Sequence, residues 1–341
     1  MKYEYEEANH AKDLHHALIQ ELATSAPQTD ITIEGAGVHW NCSARRGERL
    51  CSIACFHTQG PEYLVFFEHE AERMAAGRTE SKKDVLAAVK AWLQGHELQK
   101  LYDRFRFVDK DKRTLIMIET EMRKCCPELK QGTSRELRHI VCDLYEMWFR
   151  AQDRSCRISY YGKNTLPDAV FFWDECHLFQ LQTGEFKQLA LVLKRWLCDY
   201  VMPSDLEKEF PCIDVGKLAR YYEEGRGVEG EFIMSWDGIE QFYDDMRAAN
   251  TARIKEFIAQ MRERGYDKTL RAGQSLWTLI VSRSRRHGLR QDQPHIAFCF
   301  RNNGMDVYLD MDRKEKLSLP HIQFTTRIDA LLKQLEAKDI D

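Results

Sequence analysis

Cys51-Ser-Ile-Ala-Cys-Phe56 and Cys156-Arg-Ile-Ser-Tyr-Tyr161 stand 105 residues apart and read as one β-strand written twice. The likeness continues on both sides. Val65-Phe66-Phe67 matches Val170-Phe171-Phe172 at the same offset. Val89-Lys-Ala-Trp-Leu93 matches Leu193-Lys-Arg-Trp-Leu197 at 104. Phe105-x-x-Val108-Asp109-x-x-Lys112 matches Phe210-x-x-Ile213-Asp214-x-x-Lys217 at 105. An offset held this long marks an internal duplication. A third copy is fainter: His295-Ile-Ala-Phe-Cys-Phe300 aligns with Cys51 to Phe56, and Val307-Tyr-Leu-Asp310 with Val65 to Glu68.

Periodicity assigns elements to the copies. Leu137, Ile140, Val141, Leu144, Tyr145 and Trp148 recur at i, i+3, i+4 and i+7, which predicts an amphipathic helix over 134–150. Thr133 and Glu136 are spaced as its capping box. Strands follow at about 156–161, 169–174 and 176–182, then a helix burying Phe186, Leu189, Leu193 and Trp196. In the first copy the helices fall at about 9–24 and from Ser81, where Asp84 lies three residues on; an extra strand region, Ile31 to Ala44, precedes the repeat. In the third copy the first helix is expected over 269–282 and the last from Thr326, with Asp329, to Leu335. Gly225-Arg-Gly-Val-Glu-Gly230 reads as a loop, with helices at Trp236–Met246 and Ala248–Arg264.

The expected fold class is α+β: tandem α-β-β-β-α modules, two clear and a third fainter, each an antiparallel three-stranded meander packed by helices. The expected divisions are 1–132, 133–219, an acidic loop and helical insertion at 220–264, and 265–341.

Composition sets limits on function. The 341 residues carry 50 Lys and Arg against 54 Asp and Glu, a net charge of −4, so nucleic-acid binding requires a local basic patch. The 11 cysteines include no C-x-x-C, and several fall in apolar stretches, as reduced buried thiols do. No apolar run reaches the roughly 18 residues of a membrane helix, and the polar start lacks the apolar core of a signal peptide. A cytoplasmic protein is expected.

Several clusters carry chemistry-bearing residues. Residues 218–245 hold eight acids, a set for a cation, for acid–base chemistry, for a solvated face, or for pairing with a basic segment. That basic segment contains Arg283, Arg285, Arg286 and Arg290, which suit phosphates or the negative end of a helix. His39, Cys42, Cys51, Cys55, His57 and His69 include enough ligand types for zinc, but Cys51, Cys55 and His57 share a strand face with Ile53, as core residues do.

Two short resemblances accompany these patterns. Gly77-Arg-Thr-Glu-Ser-Lys-Lys83 resembles the phosphate-binding lysine motif of double-stranded-RNA-binding domains, which implies backbone contact with RNA. The other copies have Thr183-Gly-Glu-Phe-Lys187 and Thr325-Thr-Arg327 there, without the lysine pair. Pro167-Asp168 followed by Glu185-Phe-Lys187 resembles the PD…ExK pattern of metal-dependent nucleases. It implies that Asp168 and Glu185 hold a divalent metal and Lys187 polarises water or phosphate. In that family both acids sit on strands, whereas Glu185 reads as a helix start.

The leading expectation is a non-catalytic binding or scaffold protein with a protein partner and no cofactor or resident metal. Nucleic-acid binding through Arg283, Arg285, Arg286 and Arg290 is the alternative. A nuclease using Asp168, Glu185 and Lys187 is the third reading.

Overall fold

The computed structural model describes residues 2–36, 39–57, 60–160, 166–246, 250–286, 293–309 and 316–340. The chain divides into two compact units, Met1–Tyr200 and Val201–Asp341. Among the described residues there are three five-stranded antiparallel sheets, each a meander, and the fold is α+β. No described helix is long and apolar enough to cross a membrane.

In the first unit, α1 (Lys2–Ser25) leads into β1 (Asp30–Ala36), β2 (His39–Arg46), β3 (Arg49–His57), β4 (Pro61–His69) and β5 (Glu72–Thr79). Then come α2 (Lys82–Leu93), α3 (Leu98–Arg104), α4 (Lys110–Cys125) and the single turn α5 (Leu129–Gly132). The second meander is β6 (Ser134–Val141), β7 (Leu144–Ala151), β8 (Arg154–Ser159), β9 (Asp168–Trp173) and β10 (Cys176–Gln182), closed by α6 (Phe186–Leu197). The second unit opens with α7 (Pro203–Glu209), α8 (Gly216–Glu223), α9 (Gly227–Asp245) and α10 (Thr251–Glu263). Its meander is β11 (Arg271–Ser275), β12 (Thr278–Ser282), β13 (His295–Phe300), β14 (Met305–Tyr308) and β15 (Lys316–Leu319), closed by α11 (Thr326–Glu336).

Two predicted helices are β-hairpins. Residues 134–150 form β6 and β7 around the turn at Cys142, whose φ is +55°. The apolar stripe read at helical spacing is spread over both strands; Met147 and Phe149, alternate residues of β7, fill the core instead. Residues 269–282 likewise form β11 and β12 around Leu276, φ +54°. The second and third meanders therefore have five strands where three were expected, and the extra strand region of the first copy, Ile31 to Ala44, is β1 and β2 of its five-stranded sheet. The glycine-rich loop is also shorter than expected, because α9 already begins at Gly227. Ser81 caps α2 through the Asp84 N–H as expected, but the cap of α11 is Thr325, accepting from Ile328 N.

Strand register corrects two alignments. Cys51 pairs with Phe67 and Ile53 with Val65; Cys156 pairs with Phe171 and Ile158 with Ala169. Val65 and Phe67 therefore correspond to Ala169 and Phe171, an offset of 104, and all four are fully buried. In the third sheet Phe298 pairs with Val307, so Phe298, not Ala297, takes the place of Ile53. A one-residue slip matters because it turns a strand's core face to the opposite side.

The copies share finer construction. Both β4–β5 and β9–β10 turn through two residues of positive φ: Glu70 and Ala71, then Asp174 and Glu175. Each turn donates to the β2–β3-type turn of its own sheet, Glu70 N to Glu48 O at 3.1 Å and Asp174 N to Asp153 O at 2.6 Å. In both meanders of the first unit an arginine binds a C-terminal carbonyl of the closing helix. Arg49 Nη1 donates to Trp92 O (2.9 Å) and Arg154 Nη1 to Trp196 O (3.3 Å). In the second unit Arg283 Nε donates to Lys338 O at 2.8 Å, two residues beyond the end of α11. Positive charge at the ends of α2 and α6 satisfies orphan carbonyls and the negative end of the helix dipole. In the first two copies the guanidinium also stacks on the helix tryptophan, 4.3 Å from Trp92 and 4.1 Å from Trp196.

Candidate functional site

The N-terminal half of the first unit carries a groove of about 430 Å³ built from α1, α2 and α3. Alternate faces of α2 explain it. Val85, Ala88, Val89 and Trp92 are buried toward the sheet, which leaves Lys83, Leu86, Ala87 and Lys90 on the outer side. Leu86, Ala87 and Ala91 form an apolar floor, and Lys82, Lys83, Lys90 and Arg104 form a cationic rim. Two of these cations are paired with α1: Lys82 Nζ with Asp13 at 2.6 Å and Lys90 Nζ with Glu21 at 2.7 Å. Lys83 and Arg104 are exposed and have no acidic partner among the described residues. The lysine pair of the RNA-binding resemblance thus lines this groove. Lys83 and Lys90 were legible in sequence as one helix face, seven residues apart; Arg104 arrives only because α3 folds back.

The arginines proposed from sequence lie in the second unit. Arg283 donates to the carbonyls of Lys338 and Thr269. Arg285 Nη2 lies 3.0 Å from Glu231 Oε1, and Arg286 pairs with the same carboxylate. Tyr222 donates its hydroxyl proton to Glu231 as well. Glu231 is 6% exposed, so this is an inward network in which part of the acidic segment pairs with the basic one. Arg290 lies outside the described residues.

The residues of the nuclease pattern are dispersed between element types. Asp168 opens β9, opposite Ser159 and Gln182, with its Oδ1 buried and without a hydrogen-bond partner among the described residues. Glu185 is the residue before α6, and both it and Lys187 are exposed. Cys42, Cys51 and Cys55 are fully buried under α1, with Cys42 donating to Ala11 O at 3.2 Å. Burial pushes the Cys51 thiol well up; donating a hydrogen bond to Cys42, then burial, does the same to Cys55, while accepting that bond lowers the pKa of Cys42. Thiols held protonated in this way are poor metal ligands. His39 is exposed, and His69, which lies 3.7 Å from Glu48, pairs with Arg49 at the far end of the β3–β4 ladder from Cys55.

One polar centre was visible only as a repeat. Asp109 is fully buried with φ +46°. Its carboxylate accepts from Ala76 N (3.0 Å) and Tyr102 Oη (2.7 Å), and Lys112 Nζ stands 3.7 Å away. Burial, then this hydrogen bond, raises the pKa of Tyr102. Asp109 N returns to Ala76 O at 2.7 Å, and Val108 bridges Gly77, so the segment covers the open edge of β5. Asp214, its counterpart, is exposed and accepts from Gly216 N at 3.0 Å.

No protein-family model matches the chain, and no curated protein or solved structure matches it.

Proposed function

We propose that this is a non-catalytic binding protein that docks an acidic segment of a protein partner in the α1–α2–α3 groove. The observation that carries the reading is the groove's pairing pattern. Its lysines already hold two carboxylates from α1, while Lys83 and Arg104 stand on the same rim without acids. An apolar floor inside a cationic rim complements an acidic, partly apolar peptide, and such charge complementarity governs encounter rate and specificity.

Titration of a fluorescent peptide rich in Glu and Leu, followed by anisotropy at two salt concentrations, tests this. Saturable binding, weakened by salt and by Lys83→Glu with Arg104→Glu, is the expected result. Binding indifferent to both substitutions sinks the groove. Salt-sensitive retardation of DNA or RNA, lost on replacing Arg285 and Arg286, returns the nucleic-acid reading; magnesium-dependent cleavage lost in Asp168→Ala returns the nuclease.

A further inference from the structure

The polar groups near the start of α1 are incompletely satisfied. Glu7 is 6% exposed; its Oε1 accepts from His57 N at 3.3 Å, and its Oε2 is buried without a hydrogen-bond partner among the described residues. One turn later His10 repeats the pattern, with Nε2 buried and without a hydrogen-bond partner among the described residues. The His10 ring lies 4.6 Å from Tyr63 and 6.2 Å from the His57 ring. His57 Nε2 is in turn 3.4 Å from Glu6 Oε2.

Buried polar atoms in native proteins almost always find a partner, and each exception calls for one. Here an orphaned carboxylate oxygen and an orphaned imidazole nitrogen come from residues i and i+3 of one helix, hence from one face. Two imidazoles with carboxylates are the donor set of zinc and its neighbours, not of calcium or magnesium.

We propose that Glu7, His10 and His57 bind a divalent transition metal, with Glu6 as the fourth ligand. The two rings must rotate toward each other to share the ion, since their centroids stand 6.2 Å apart. The site is separate from the peptide groove and independent of that reading.

The test is cobalt and zinc titration into the chelator-treated full chain. Cobalt absorption reports coordination, and zinc is read by the shift in melting temperature. One saturable equivalent is expected, weakened at least about tenfold in Glu7→Gln, His10→Gln and His57→Gln. His57 is only half-buried on β3, so its variant reports even where a helix variant fails to fold. Glu48, His69 and Glu70, largely exposed, are a separate set whose ligand atoms all lie within 4.8 Å of one another. His69→Ala is expected to leave binding unchanged. Loss of binding in His69→Ala with retention in the α1 variants would falsify the proposal, and so would the absence of saturable binding.

Discussion

The two copies within the first unit run the same strand order, yet their second strands differ in bulk. β2 presents Cys42 and Ala44 to the core where β7 presents Met147 and Phe149, and all four are fully buried. Small side chains let a helix approach closely: α1 comes near enough to β2 for the Cys42 thiol to reach Ala11 O. In the second copy α4 packs on β7, and aromatics gather around the closing helix. Trp196 meets Phe179 at 5.3 Å, Trp173 at 6.0 Å and Phe171 at 6.4 Å, whereas Trp92 meets Phe67 at 6.0 Å. The two meanders share a backbone plan, while their cores are filled by different side chains.

That contrast is sharpest at the tryptophans. Trp196→Ala is expected to cost about 3–5 kcal/mol, and Trp92→Ala an amount nearer the lower end, in urea denaturation. Equal losses would show that the extra aromatic contacts of the second copy add nothing to its stability.

The duplicated aspartates give the next largest difference. Asp109→Ala strands Ala76 N and Tyr102 Oη and uncovers a strand edge, so a loss of about 2–4 kcal/mol is expected. Asp214→Ala, at an exposed turn, is expected to cost under about 0.5 kcal/mol. The same denaturation curves read both, and matched losses would mean that Asp214 has an equivalent structural duty.

The two arginine clasps divide in the same direction by a smaller amount. Arg154 is 2% exposed and lies between Trp173 and Trp196, each ring about 4 Å from its guanidinium carbon. Arg154→Met is expected to cost about 1–3 kcal/mol, and Arg49→Met at its half-buried position about 1 kcal/mol. Thermal melts that rank them in the opposite order would place the weight on Arg49's extra bond to His96 O, 2.6 Å long.

The smallest stability effect belongs to the closing helices' outer faces. α2 bears Lys83, Ala87 and Lys90; α6 bears Lys187, Leu191 and Lys194, the last tied to Asp199 at 2.9 Å. Lys83→Glu with Arg104→Glu is expected to change the melting temperature by no more than about 2 °C while weakening acidic-peptide binding at least about tenfold. Lys187→Glu is expected to leave that binding unaltered, so an equal effect from α6 would erase the distinction between the copies.

Much of the repeat was legible without coordinates, because strands and closing helices kept both their spacing and their residue types. The misread parts show where such legibility fails. The offset that carries Cys51 onto Cys156 also carries the strand region Ile31–Ala44 onto 136–149, yet residues 134–150 display a helical stripe of their own. That stripe is produced by a two-residue turn, which interrupts the alternation of β6 and β7 and leaves apolar residues at three- and four-residue spacing. Their aromatic and β-branched content favoured strands, and pairing with β8 settled the matter. The groove was half legible: its lysines lie on one helix face, but Arg104 joins them through a chain reversal with no local signature.

By itself the sequence determined the duplication, the α+β class and the core strands, since these rest on local periodicity and on residues repeated at a constant offset. Tertiary structure alone decided which register the strands take, that Arg285 and Arg286 turn inward to Glu231, and that Asp109 is buried while Asp214 is exposed. Each of these depends on groups far apart in the chain meeting in space, where burial sets the value of a charge or a hydrogen bond, and no local pattern encodes that meeting.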